Sequence, residues 1–155
     1  VLKVESLDQG GVRQVLLQGS IDETLKFEAL PAGSVTEVRF DLREVNRVTG
    51  FGGRIFLKQL QDLQNQKVGA TLLNCSPPVI DFLNLVTAGF SGVRVESLLV
   101  PYSCSQCRAE LAATFELAVL QRAKFEIPAM VCPKCGGSAV LDDETSKYFA
   151  FQSKL

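Results

Sequence analysis

Four of the five cysteines fall in two C-x-x-C pairs, Cys104-Ser105-Gln106-Cys107 and Cys132-Pro133-Lys134-Cys135. A C-x-x-C segment wraps a tight turn, so that both sulfurs and the neighbouring amide N–H groups face one ion. Two such turns complete a tetrahedral four-thiolate site for Zn2+. Gly136 and Gly137 directly after the second pair suit the left-handed turn of such a knuckle. Two disulfides would need an oxidising compartment, for which the sequence offers no sign, and a redox C-x-x-C normally occurs once, at a helix start. Four thiolates can also hold a single iron atom. With all four positions taken by sulfur no place is left for a reactive water, so the expected role is structural. Cys75 stands alone at the end of an apolar run and reads as a small buried hydrophobe.

Little else is equipped for chemistry. The chain has no histidine, which excludes His-based triads and dyads. Asp41, Glu44 and the acidic run Asp142 to Glu144 come without a matching nucleophile, base or open metal position, and the sequence therefore predicts a non-enzyme. Nearly half of the 155 residues are apolar and the net charge is −1, the composition of a soluble globular protein. That charge argues against broad capture of nucleic acid or anionic membrane. After Pro101 six basic residues balance six acidic ones, and four thiolates on one zinc ion would add negative charge; the tail is a poor phosphate binder. No apolar run has the length of a membrane span and "VLKVESLDQG" lacks a signal pattern, so the expected location is the cytoplasm. The chain opens at Val1 rather than Met, which fits a piece lacking a few leading residues.

These residues need a scaffold, and the hydrophobic pattern supplies one. "VRQVLLQGSI" is β-rich, and "DETLKFEALPAG" (Asp22 to Gly33) reads as a helix closed by Pro31 and Gly33. "VTEVRFDL" alternates with period two, a strand with Thr36, Val38, Phe40 and Leu42 on one face. "GRIFLKQLQDLQNQ" sets Phe56, Leu60 and Leu63 on one helical stripe. "KVGATLLNC" is a strand, and "SPPVIDFLNLVTAGF" a helix with Ser76 as N-cap, Pro77 first and Gly89 after its end. "VRVESLLV" (Val93 to Val100) closes the series as a strand, giving two strands and then helix–strand three times over. An α/β fold with a mixed, mainly parallel sheet follows. The tail is expected to be β-rich, with strands at "AELAATFELAVL", "SAVL" and "KYFAF" and the acidic run as a hairpin turn. The division falls between residues 1–100 and 101–155.

The segment from Val38 to Phe90 resembles the STAS domain of bacterial anti-sigma-factor antagonists. The matching residues are a strand ending in Asp41-Leu42, then "xVxxV", a small-residue turn with Gly52, and an amphipathic helix. A further strand leads into "SPPVIDFLNLVTAGF", which is similar to the family's "xPxVxxxLxxxGL" helix. The likeness covers roughly residues 1 to 100, and the tail is similar to a zinc-ribbon extension found on a subset of STAS-like proteins. The resemblance implies a protein–protein regulator that binds an anti-sigma kinase, or another signalling protein, and is released by phosphorylation. The family phosphoacceptor is a Ser or Thr in a "D-S-x-G" turn. Aligning that turn on Gly52 puts Thr49 at the family's Asp and Gly50 at its Ser, so the usual switch is missing here. Thr49, one residue away, is a substitute acceptor in principle, and its simpler reading is an N-capping hydroxyl.

The partner surface expected on this reading is Arg47, Thr49, Gly50, Phe51, Arg54 and Lys58, with Arg54 and Lys58 four apart on one helical face. Phe51 fits both an exposed anchor and a core residue. The glycines of "TGFGG" are expected to allow a tight turn and close approach by a partner. The alternative is nucleic-acid binding by the ribbon, or nucleotide sensing by the Thr49–Gly53 loop, although no complete phosphate-loop motif is present. Self-association is compatible with this sequence.

Overall fold

In the computed structural model, which describes residues 2–30, 33–86 and 92–155, the chain forms a mixed α/β fold with two sheets. Sheet A contains β1 (Lys3–Gln9), β2 (Val12–Ile21), β3 (Glu37–Val48), β4 (Gly69–Leu73) and β5 (Val93–Val95), in that spatial order. β1 runs antiparallel to β2, and each later pair is parallel. Helix α1 (Gly50–Asn65) connects β3 to β4, and α2 (Pro77–Leu85) follows β4. The expected stripe Phe56, Leu60 and Leu63 is buried on Phe40, Leu42 and Leu72 in one apolar cluster.

β3 runs further than its period-two pattern indicates. Its buried positions step from Val38, Phe40 and Leu42 to Val45, because register shifts against β2 interrupt the alternation. Helix α1 stops in a Schellman turn: Lys67, at φ 58°, donates its N–H to the Gln64 carbonyl, and Val68 donates to Leu63.

The helix expected over Asp22 to Gly33 is absent. Among its described residues this segment is a short turn followed by chain without regular secondary structure; Pro31 and Ala32 lie outside the described residues. The Asp22 carboxylate accepts from the Thr24 N–H at 3.0 Å, which closes a local turn instead of capping a helix. Leu25 and Phe27 then point inward two residues apart, Phe27 placing its ring 5.7 Å from that of Phe40. Arg13, only 6% exposed, holds the segment by donating to the carbonyl of Glu28 at 3.0 Å, which a helix would have given to a later amide. The same guanidinium binds Asp8 through two bonds of 2.7 and 2.8 Å and keeps that carboxyl below its usual range.

Sheet B is smaller and antiparallel: β6 (Ser97–Cys104), β7 (Glu110–Glu116), β8 (Met130–Val131) and β9 (Ser138–Leu141), in the order β7-β6-β9-β8. "VRVESLLV" is therefore two strands, with Glu96 as the break that sends the chain from sheet A to sheet B. The position taken as the domain division lies inside β6. The last part of "AELAATFELAVL" is helix α3 (Leu117–Arg122). "KYFAF" is not a strand: α4 (Thr145–Tyr148) leads into a 3₁₀ turn (Ala150–Lys154), and the acidic run precedes this helix rather than a hairpin. Its three aromatic residues, Tyr148, Phe149 and Phe151, are all buried, and Tyr148 and Phe151 are three apart, the spacing of a helical face. Tyr148 donates its phenol to the Leu99 carbonyl at 2.6 Å, and Asn84 of α2 donates to the Tyr148 carbonyl at 3.0 Å. Ser76 stands at the N-cap position before Pro77, but its hydroxyl donates to the Val45 carbonyl instead of capping α2. α2 reaches Leu85, and the expected terminator Gly89 lies outside the described residues.

Arg13→Ala removes five donors from a nearly buried position and leaves two carbonyls and a carboxylate short of partners. It should lower unfolding free energy by about 2 kcal/mol, measured by denaturant titration; a change below experimental error would remove Arg13 as the anchor of residues 22–30.

Candidate metal centre and the start of helix α1

Two matching knuckles build the cysteine site. In the first, the Cys104 N–H donates to the Ala109 carbonyl and the Arg108 N–H to the Cys104 carbonyl, both at 3.0 Å. In the second, Cys132 donates to Gly137 at 2.7 Å and Gly136 to Cys132 at 2.8 Å, the same pattern at the equivalent positions. The turn requires a left-handed residue after each second cysteine. Gly136 meets this at φ 76°, and Arg108 takes it at φ 59° without glycine's freedom. β6 delivers Cys104, and the β8–β9 pairing brings Cys132 and Cys135 to it, with Cys104 registered against Ala139.

The four sulfurs all lie within 4.8 Å of one another. Cys104 and Cys135 are 3.4 Å apart and Cys107 and Cys132 3.7 Å. A tetrahedron with Zn–S bonds of about 2.3 Å has edges of about 3.8 Å, so these thiols form a site suited to Zn2+. Backbone amides support the sulfurs: Gln106 donates to Cys104 and Gly137 to Cys135, each at 3.4 Å. The amides of Cys107 and Gln106 draw the Cys104 thiol down to about 6. At Cys135 the Gly137 amide acts downward, but the neighbouring thiols outweigh it and push the group up to about 11. Four sulfurs this close cannot all ionise without a cation among them, and a divalent ion supplies the missing charge. Cys104 and Cys132 are buried while Cys107 and Cys135 face solvent. Cys75 is fully buried and its thiol is pushed up by desolvation, in keeping with a core role.

The other predicted site residues gather at the start of α1. Thr49 is the N-cap: its hydroxyl accepts from the Gly52 N–H at 3.0 Å and donates to the Ile21 carbonyl at 3.3 Å. The Gly53 N–H goes to the Thr49 carbonyl at 2.8 Å. Two of the amides that could cradle a phosphate are thus already engaged. The glycines serve the chain itself rather than an approaching partner. A Cβ on Gly52 would lie 2.1 Å from the Ile21 carbonyl oxygen, and one on Gly53 would lie 2.5 Å from the Phe82 ring. Gly50 is different, since a Cβ there meets nothing within 4 Å.

Phe51 points outward and is 66% exposed, with the Arg54 guanidinium 5.8 Å from its ring centre. Arg47, Arg54 and Lys58 are exposed, and among the described residues none of them is in an ion pair. Sequence reasoning missed Arg13 and the left-handed Arg108; the repeated residue order after each C-x-x-C was the signal available for the latter. Compared with known proteins, the chain matches no family model and no curated protein sequence.

Both tyrosines and no tryptophan lie in the C-terminal part, where Tyr102 donates to the Pro128 carbonyl at 2.7 Å and Tyr148 to Leu99. Removing zinc by chelation should abolish the near-ultraviolet tyrosine dichroism while most far-ultraviolet signal remains. An unchanged tyrosine spectrum after verified metal loss would sink the structural role. Gly52→Ala forces a methyl into the Ile21 backbone and should cost about 3 kcal/mol, whereas Gly50→Ala is neutral or mildly stabilising; both are read by denaturant titration.

Proposed function

We propose that this chain is a non-enzymatic regulatory protein–protein interaction module of the anti-sigma-factor antagonist type, its zinc site serving structure. The partner is a protein, an anti-sigma kinase or another signalling protein, and the contact surface is the start of α1 with Arg47, Thr49, Gly50, Phe51, Arg54 and Lys58. The observation that carries this reading is the solvent-facing Phe51 with Arg54 against its ring, flanked by the exposed cations Arg47 and Lys58, which make no ion pair among the described residues. A large aromatic side chain exposed on a rigid helix, beside arginine, has the composition of a binding hot spot.

The strand order of sheet A, its single antiparallel edge and the helices after β3 and β4 support the STAS-like part of the reading. The irregular segment after β2 departs from the helix–strand regularity. Regulation by phosphorylation at the family position is not part of this proposal, because Gly50 has no acceptor oxygen and the Thr49 hydroxyl is held in the cap. When bound, zinc supplies folding energy and fixes the knuckles through Cys104, Cys107, Cys132 and Cys135.

Pull-downs from lysate of the source organism with the tagged chain and with Phe51→Ala test the proposal. A signalling partner should be retained by the parent chain and reduced about tenfold by the substitution, a hot-spot loss. Stability should change by less than about 1 kcal/mol, as for an exposed residue. Equal recovery with both chains, or recovery of nucleic acid alone, would overturn it.

A further inference from the structure

Among the described residues the two sheets have four edges, and three of them are closed to further pairing. β5 is 3 residues long and β8 is 2, too short to template another strand. β1 has 7 residues, but Lys3, Glu5 and Asp8 place charges along it. β7 also has 7 residues and carries no lysine, proline or bulge; it pairs with β6 without a register shift. Its interior, Leu111 to Phe115, is uncharged, and Glu110 and Glu116 stand at its two ends.

Alternate residues of an edge strand aim their N–H and C=O groups away from the sheet. Among the described residues no backbone group from another element bonds to this side of β7. Leu111, Ala113 and Phe115 rest against the core but are only half-buried, leaving apolar surface that an added strand would cover. Glu110 and Glu116 make no ion pair or side-chain hydrogen bond among the described residues, although Arg94 lines the same cavity as Glu116.

We infer that β7 is an acceptor edge for an extended strand of a protein partner, with basic residues at both ends of that strand. Backbone pairing supplies the affinity, and the two carboxylates select the partner's charge and set its register. The charges also argue against a second copy of this chain. An antiparallel copy centred on Ala113 would set Glu110 opposite Glu116 at both ends, a like-charge pairing that destabilises the joint.

The test uses the full zinc-loaded chain and a peptide as long as β7, with lysine at each end and alternating valine and threonine between. Amide exchange followed by NMR should show protection of alternate β7 amides on peptide addition. A peptide with glutamate at each end should bind about tenfold more weakly. The double substitution Glu110→Lys with Glu116→Lys should reverse that preference, and Glu116→Lys alone, by making the self-pairing complementary, should produce dimers in light scattering. Melting curves check that the variants remain folded. Absence of β7 protection at the highest soluble peptide concentration would overturn the inference, as would equal affinity for both peptides. Concentration-dependent dimerisation of the parent chain with protection of β7 would overturn the choice of partner and assign the edge to a second copy.

Discussion

The carbonyl oxygen of Ile21, at the end of β2, is the point on which the first sheet and its helices are assembled. It accepts the Thr49 N–H at 2.9 Å and the Thr49 hydroxyl, and the Cα of Gly52 passes so close that no side chain fits between. This contact sets where α1 starts and how it is rotated. The next residue, Gly53, lets Phe82 of α2 lie against α1, so both helices are seated by successive missing side chains. With Gly52, Gly53 and Phe56 facing inward, the helical period turns Phe51, Arg54 and Lys58 outward. The surface assigned to partner binding is thus fixed by the same packing that seats the helix.

A second constraint joins the two sheets. Beyond Glu96 the chain leaves sheet A, but the core does not end there: Leu98, Val100, Tyr148 and Phe151 continue the cluster that contains Ile80 and Leu83. The ammonium of Lys154 donates to the carbonyls of Leu83, Asn84 and Val86 at the end of α2, satisfying groups that a helix C-terminus leaves open. The metal knuckles hold β6, β8 and β9 together, and β6 carries Leu98 and Val100 into the shared core. Zinc bound at the cysteines would therefore stabilise contacts that reach α2, not the C-terminal sheet alone.

The sheet edges fit the same economy of means. β5 and β8 are short, charges blunt β1, and among the described residues only β7 offers a long uncharged rim framed by two carboxylates. The two proposed surfaces, an exposed aromatic on a helix and an open strand edge, rely on different physics. The first relies on a desolvated anchor and the second on backbone pairing.

What the sequence determined by itself was local chemistry and strong periodicity. The spacing of two C-x-x-C pairs defines a four-thiolate site because the turn is short and the ligands lie within it. The stripe of Phe56, Leu60 and Leu63 and the alternation through Leu42 defined α1 and β3 because each repeats over several residues. Tertiary structure decided the rest. Residues 22–30 have helix-compatible composition, but Arg13, remote in sequence, takes the carbonyls of Glu28 and Ala29, and Phe27 packs on Phe40. "KYFAF" reads as a strand from its aromatic content, yet it coils, burying Tyr148 and Phe151 on one side of a helical turn and Phe149 against Phe125 on another. "VRVESLLV" is apolar enough for one strand, and the competition between two sheets for its ends divides it at Glu96. The direction of Phe51 was undecided for the same reason: a side chain's exposure depends on helix rotation, and that rotation is set by the Ile21 carbonyl, far away along the chain.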